Sequence, residues 1–435
     1  MYWRPFMNIV VVGGGWAGCA AAYMAAKQGL NVTLLERTDM LLGTGLVGGI
    51  MRNNGRFTAT EEMIALGGGD LFHIVDTNLR HKNINFPGHN HANLYDITKV
   101  PDAIFEYLKE LGVDIQYRNR VNRVTKESVN ENSRILSVST STHQDTSTST
   151  YSGDAFIDTT GTCGPIKNCV NYGNGCAMCV IRCPSFGPRQ SLTALAGLPE
   201  MSGLRRNGKL GAISGSCKLL KDSLSPDLVD ELNEEGVVVI PIPKKLQLDH
   251  LADKSCQQYA YNSYLENLIL LDTGHAKLMT PFYPLELLKQ IPGFEHARYE
   301  DPYSASIGNS IRFTACCIRD DTLKVLGSEN LFCAGEKSGL FVGHTEAIVT
   351  GILAGYNAAM YCLSKSLMTL PRSLCIGELI AYGREQMNTE DGLYKKYTFS
   401  GSVFFDHMKE LNLYTTDLRQ IKERVEASGL YHVFG

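Results

Sequence analysis

The stretch that decides the fold is "NIVVVGGGWAGCAAAYMAAKQGLNVTLLE", Asn8 to Glu36. Asn8 to Val12 is a short β-branched run of the kind that forms a buried parallel strand. It leads straight into Gly13-Gly14-Gly15-Trp16-Ala17-Gly18, which fits G-x-G-x-x-G, then into a helix of small residues closed by Gly29, then into a second apolar strand ending at Glu36. The glycine spacing alone is a weak signal, but strand, glycines, helix, strand and terminal acid in this order form a dinucleotide-binding unit. Gly13 permits the tight turn, Gly15 lets backbone approach a pyrophosphate at the helix N-terminus, and Gly18 allows close packing of helix on strand. Glu36 follows Gly18 by 18 residues, near the spacing of an acid that accepts hydrogen bonds from a ribose 2′-hydroxyl and disfavours a 2′-phosphate.

The rest of the composition fits a multi-domain α/β enzyme. The chain has 435 residues, 44% of them hydrophobic, and a net charge of -4, so no global basic field draws it to nucleic acid or an acidic membrane surface. No apolar run reaches membrane-spanning length, and glycines interrupt the early apolar run where a secretory signal would be continuous. Thirteen cysteines without an export signal point to a reducing compartment, with the cytoplasm as the expected location.

Beyond Glu36, "RTDMLLGTGLVGG" resembles the glycine-rich loop of glutathione-reductase-type flavoproteins, which implies Arg37, Gly43, Thr44 and Gly45 along a dinucleotide. "VPDAIFEYLKELGVDIQYRNRVNRV" resembles the helix and strands by which that family returns to its sheet, so Val121 or Val124 would meet an adenine. "RILSVSTSTHQDTSTSTYSGDAFIDTTG" reads as a polar hairpin and an apolar strand, and its last residues resemble the family loop that places Thr160 and Gly161 beside the cofactor. A third piece, "NLFCAGEKSGLFVGHTEAIVTGILAGYNAAMY", puts Gly335 and Glu336 at a strand end, and Gly343, His344 and Thr345 at the start of a helix with Gly351 and Gly355 on its packing face. In the family this acid contacts the ribityl chain and the helix N-terminus faces the flavin, where its dipole stabilises negative charge.

From Leu287 to Tyr382 the chain is similar to the carboxyl half of the GidA-type family, which includes flavoproteins that modify tRNA uridines. The resemblance implies FAD. The chain departs from that family in two ways: "GLVGGIMRNNGRF" has no cysteine where the methyltransferases carry one, and the carboxyl end is shorter than the helical RNA-binding domain of the wobble enzymes. The expected architecture is a Rossmann-like FAD-binding domain, with parallel sheet, helices and β-meander, in segments 1–163 and 303–365. An inserted mixed α/β substrate domain occupies 164–302, and a helical tail occupies 366–435. With no second glycine fingerprint, electrons must arrive through the substrate pocket, the cysteine region or a partner.

Cys169, Cys176, Cys179 and Cys183 follow the Gly161 loop. Cys176-x-x-Cys179-x-x-x-Cys183-Pro184 matches the tail of a ferredoxin ligand run, so the four could hold an iron–sulfur cluster. Cys176 and Cys179 could instead form a redox-active pair beside the flavin, or the set could bind zinc or be structural. Cys316-Cys317 sits in a strand-like segment near the flavin face. His89 and His91 have metal-ligand spacing, but no acid or cysteine cluster accompanies them, so a pocket-shaping loop is expected. These readings lead to an FAD-dependent oxidoreductase acting on a small molecule or an electron-transfer protein. A flavin- and folate-dependent RNA uridine-modifying enzyme and a flavin subunit of an electron-transfer complex are the alternatives.

Overall fold

The computed structural model describes residues 7–141, 148–161, 185–204, 208, 212–213, 216–249, 251, 257–280, 283–300, 311–312 and 315–435. Five parallel strands form its central sheet in the order β5-β4-β1-β2-β3, where β1 is Asn8–Val12, β2 Asn31–Leu35, β3 Asp114–Gln116, β4 Ala155–Asp158 and β5 Leu331–Cys333. Side chains alternate across this sheet, as the pleat requires. Ile9 and Val11 face helix α1 (Trp16–Lys27), while Val10 and Val12 pack with Val121, Val138, Phe156 and Leu331 on the other side.

Helix α1 is built of small residues because a second helix lies against it. A Cβ on Gly351 would meet the Ala17 carbonyl oxygen at 2.4 Å, and one on Gly355 the Ala21 carbonyl oxygen at 2.3 Å. Both glycines belong to the long helix His344–Cys362, whose backbone therefore reaches α1 without a side-chain layer between them. The Ser/Thr-rich tract forms the expected meander: Arg120–Val129, Asn132–Ser141 and Thr148–Ser152 pair antiparallel in that order.

A second layer carries its own core. Cys217–Leu219, Ala276–Leu278, Asn267–Asp272 and Val237–Pro241 form an antiparallel sheet in that spatial order, covered by the helix Pro226–Glu235 around Leu219, Leu232, Leu270, Leu278 and Phe294. A small sheet of Ile50–Met51, His89–Tyr95 and Leu79–Phe86 packs on it, with Ile50, Phe86, Leu94, Ile269, Leu271 and Met279 in one shared core. The strands Ile50–Met51, Leu79–Phe86 and His89–Tyr95 thus join the layer that the sequence assigns to 164–302, while the helix Gly55–Ala65 between them packs in the core of the central sheet through Ala59 and Met63. His89 and His91 stand on a strand of that small sheet rather than in a loop.

The carboxyl region is helical, with Cys375–Met387, Ser402–Glu410 and Leu418–Ala427. It is tied to the helix Gly55–Ala65 by Glu62, whose buried carboxylate accepts from the Cys375 and Ile376 backbone N–H groups (3.1 and 3.3 Å) and from Arg424 Nη1 (3.0 Å). That arrangement satisfies the orphan donors of a helix start. The last residues close on the same helix end, where Phe434 N–H donates to the Leu66 carbonyl (2.8 Å). Among the described residues no helix is long and apolar enough to cross a membrane.

Candidate functional site

The carboxyl ends of β1, β2 and β4 open onto two adjoining cavities, at the crevice where open α/β sheets hold ligands. Gly13 turns the chain out of β1 at φ +105°, a conformation that favours glycine. A Cβ there would strike the Thr159 carbonyl oxygen at 2.6 Å, and a Cβ on Gly18 would lie 1.8 Å from the Gly13 carbonyl oxygen. Gly15 is different. A Cβ on it meets nothing within 4 Å, and one on Gly161 has only Glu336 Oε2, at 3.9 Å. Both backbones border open space near the N-terminus of α1.

One cavity is lined by Gly13, Glu36, Arg37, Val121, Thr160 and Arg189 among others. The other is lined by Trp16, Ala17, Gly335, Gly343, His344 and Lys277 among others, and encloses about 1170 Å³ including its open mouth. Gly15, Thr44, Thr159, Gly161 and Glu336 border both cavities. The result is one elongated cleft with a waist at a helix N-terminus, the place where backbone N–H groups and the helix dipole favour a pyrophosphate. The residues present fit a dinucleotide laid across that waist.

Most of the sequence-derived site residues lie on the wall of this cleft, but several do not. Gly18 and Gly45 sit behind it: Gly18 at the strand–helix contact, and Gly45 with its carbonyl accepting from the Tyr95 hydroxyl at 3.2 Å. Thr345 is buried, its hydroxyl 3.7 Å from Met51 Sδ, because the first turn of its helix directs it into the core. Gly43 borders the first cavity. Val121 lines the cleft, whereas Val124 packs beside the core of the other sheet face. Glu36 is on the wall, and its carboxylate already serves the chain: Oε2 accepts from Gly14 N–H (2.7 Å), and Oε1 from Thr38 N–H (2.7 Å) and the Thr38 hydroxyl (2.9 Å). Those bonds fix the glycine turn and the carboxylate in one arrangement.

His344 heads its helix. Its Nδ1 lies 3.1 Å from the Tyr95 hydroxyl, which also accepts from Trp16 Nε1 at 3.3 Å. Tyr95 is fully buried, and desolvation pushes its phenol up to about 12, so it acts as a neutral hydroxyl. Gly48 packs against the imidazole so closely that a Cβ there would overlap the ring.

The sequence did not reveal the second layer's share of the wall, which includes Ser216, Gln258, Tyr259, Lys277 and Met279, together with Arg56. Arg56 is buried and donates from Nε to Glu346 (3.1 Å), from Nη1 to Asn53 Oδ1 (3.1 Å), and from Nη2 to the Val342 carbonyl (3.2 Å) and the Thr398 hydroxyl (3.1 Å). Both ring nitrogens of His89 are engaged within the chain. Its Nδ1 accepts from Asn53 Nδ2 (2.9 Å) and its Nε2 donates to the Gln258 carbonyl (2.9 Å), which holds the Gln258–Tyr259 segment against the cavity. Burial pushes its imidazole down to about 3, so it stays neutral. A signal for Lys277 was present in "NLILLDTGHAKLMT", where one cation interrupts an apolar run.

Cys169, Cys176, Cys179 and Cys183 lie outside the described residues. The described cysteines are buried and form no disulfide with one another. Burial pushes the thiols of Cys19, Cys217, Cys316 and Cys362 up to about 12, which removes them as thiolates near neutral pH. Among the described residues one cluster gathers metal-ligating atoms, Asp158, Glu200 and Cys317. It already holds an ammonium: Lys337 pairs with Glu200 and donates to Ser191 Oγ at 3.0 Å.

Residues 8–164 match the family model described as FAD dependent oxidoreductase, and residues 274–366 match that of glucose inhibited division protein A. A methylenetetrahydrofolate–tRNA-(uracil-5-)-methyltransferase of Anoxybacillus flavithermus is 33% identical over 100 residues, 22% of each chain. A tRNA uridine 5-carboxymethylaminomethyl modification enzyme of Synechocystis is 38% identical over 88 residues, 20% of this chain and 13% of that one. The matched stretches therefore span about a fifth or less of these curated relatives. Among solved structures, GidA of Aquifex aeolicus superposes with a TM-score of 0.62 at 17% identity, covering 99% of this chain and 75% of that one, which establishes a shared fold.

Proposed function

We propose that this chain, which is related to the GidA-type flavoproteins, is an FAD-dependent oxidoreductase whose substrate is brought to the wider half of the cleft. The observation that carries this reading is the continuity of two cavities through a waist of bare glycine backbone at the start of α1. In this reading Val121 and Arg37 flank the adenosine, and Gly15, Gly161 and the N-terminus of α1 face the pyrophosphate. Glu336 meets the ribityl chain, while Gly343 and His344 present a helix N-terminus to the flavin. Bound FAD supplies two-electron redox chemistry. The chain's own residues bind and orient it, and Tyr95 fixes the ring of His344 through Nδ1.

The test is to titrate purified protein with FAD and follow flavin fluorescence and the visible spectrum. Saturable quenching with a flavin band is expected, and a colourless protein indifferent to added FAD would sink the reading. An iron and sulfide assay on the same sample tests whether Cys169, Cys176, Cys179 and Cys183 also hold a cluster or leave Cys176 and Cys179 as a thiol pair.

A second reading, flavin- and folate-dependent modification of an RNA uridine, is supported by the activities for which these relatives are named and by the match over residues 274–366. Binding of tRNA to the FAD-loaded protein, followed by a uridine assay, separates it from small-molecule oxidoreduction.

A further inference from the structure

Strand β4 is apolar through Ala155, Phe156 and Ile157 and then ends on a fully buried acid, Asp158. A carboxylate in such a place is costly unless hydrogen bonds compensate it. Here they divide evenly between its two oxygens. Oδ1 accepts from the Thr160 N–H (3.1 Å) and the Thr160 hydroxyl (2.7 Å), and Oδ2 accepts from the Thr193 N–H (2.8 Å) and the Thr193 hydroxyl (2.7 Å). The backbone carbonyl of Asp158 accepts from the Ala334 N–H (3.1 Å). One residue thereby holds three segments that are far apart in the sequence.

Each of those segments reaches the cleft. Thr160 leads into Gly161, which borders the waist at φ +69°. Thr193 belongs to the short helix Leu192–Leu195, just beyond Arg189 and Gln190 on the wall of the narrower cavity. Ala334 leads into Gly335 and Glu336 on the wider one. Ser191 pins the middle segment from its other side, accepting from Lys337 Nζ (3.0 Å) and from the Ala194 N–H (3.2 Å). Its one hydroxyl proton goes to Glu200 Oε1 at 2.6 Å rather than to Asp158 Oδ2 at 3.4 Å, so the two threonines carry the Asp158 side chain. Asp158 and Thr193 line neither cavity. We propose, resting on the flavin reading of the cleft, that Asp158 is the positioning residue of the dinucleotide site. Through Thr160 and Thr193 it sets the waist and the adenosine wall in one register around a ligand that it does not touch.

FAD and ADP are the probes, titrated into the full chain, with thermal unfolding measured alongside. ADP carries the adenosine and the pyrophosphate without the flavin. Asp158→Asn keeps the shape of the side chain but turns an NH2 group toward one of the two threonines. That threonine's hydroxyl can rotate to accept, whereas its backbone N–H cannot and loses its acceptor. Thr193→Val removes one donor from behind the wall. Asp158→Asn is expected to weaken FAD and ADP by the same factor, at least about tenfold, and Thr193→Val to weaken both by about threefold. The double variant should fall short of the product of the two losses, because both act through one carboxylate. A merely structural role would lower the unfolding temperature and leave the affinities of the folded protein unchanged, and that result overturns the proposal. A loss for FAD with none for ADP overturns it too. Should Asp158→Asn fail to fold, Thr193→Val decides alone, and unchanged affinities there are equally fatal. Wild-type protein that binds ADP but not FAD removes the flavin reading and leaves the role of Asp158 to be decided by ADP, and protein that binds neither removes both.

Discussion

Gly15 and Gly18 stand three residues apart in one motif, yet substitution at the two positions should fail in opposite ways. Gly15 has φ -69° and ψ 179°, extended backbone open to any residue, and its Cβ position meets nothing within 4 Å. Gly15→Val therefore costs the unliganded fold only the weaker N-cap, about 1 kcal/mol. Its methyl groups would occupy the waist of the cleft, so FAD affinity should fall at least about 100-fold, or about 2.7 kcal/mol. Gly18→Ala places a methyl 1.8 Å from the Gly13 carbonyl oxygen, and relief to the 3.0 Å limit requires β1 and α1 to part by roughly 1.2 Å. Backbone on backbone has no rotamer to yield, so the cost is that of overpacking, about 1–3 kcal/mol or more. Thermal unfolding without FAD, followed by FAD titration of whatever remains folded, separates the two. If Gly15→Val binds FAD like the wild type, or unfolds as readily as Gly18→Ala, the waist is not the pyrophosphate site.

Three further outcomes follow from the buried polar groups. His89 is held near 3 by burial against an ordinary 6.5, so below pH 6.5 the unfolded chain takes a proton that the folded one refuses. Stability should fall by about 2 kcal/mol between pH 7 and 5 from this group alone. His89→Gln should flatten that limb in denaturant unfolding, and a limb of unchanged slope would refute the assignment. Asp272 accepts from Arg80 (2.8 Å), His81 (2.9 Å) and Lys221 (2.6 Å), and its carboxyl is lowered to about 2 from 3.8 despite burial. Its contribution is present above pH 3.8 and is lost as pH falls toward 2, by about 2 kcal/mol, a loss that Asp272→Asn should abolish in acid unfolding curves. Arg424→Ala strands the buried Glu62 carboxylate and should cost about 3 kcal/mol, with early hydrogen exchange at the start of the Cys375–Met387 helix. A silent variant there would show that the helix N–H groups alone hold Glu62.

The legible parts of the site were those built within one stretch of chain. The turn at Gly13, the packing of Gly18 and the acid at Glu36 lie within a single strand–helix–strand unit, so spacing alone specifies their geometry. Gly351 and Gly355 were legible for a similar reason, since small residues one helical turn apart imply a close neighbour. The opposite wall was not legible. Arg56, Tyr259 and Lys277 come from three separate segments, and only the register of the second layer, set by a core that also draws in Ile50 and Leu94, brings them to one cavity. Thr345 shows the limit within a motif: the sequence places it at a helix start, but not which way the first turn faces.

The loop from Gly43 to Gly48 explains why the two layers cannot be read independently. Its sequence, "GTGLVG", offers few side chains able to hold its own backbone, and carbonyls left unsatisfied there would cost about 1–3 kcal/mol each. Apart from the Gly48 N–H bond to the Gly45 carbonyl (3.1 Å), the donors come from outside the loop. Tyr95 bonds the carbonyl of Gly45, Lys218 that of Leu46, and Lys277 those of Val47 and Gly48, so four successive carbonyls are satisfied by residues of the second layer and the small sheet. The other side of the same loop touches the glycine motif through the Leu42 N–H bond to the Gly14 carbonyl at 2.7 Å. A loop whose one edge belongs to the glycine motif and whose other edge is held by the second layer takes its shape from both. The glycine-rich composition that marks it in the sequence is what makes it depend on those distant donors.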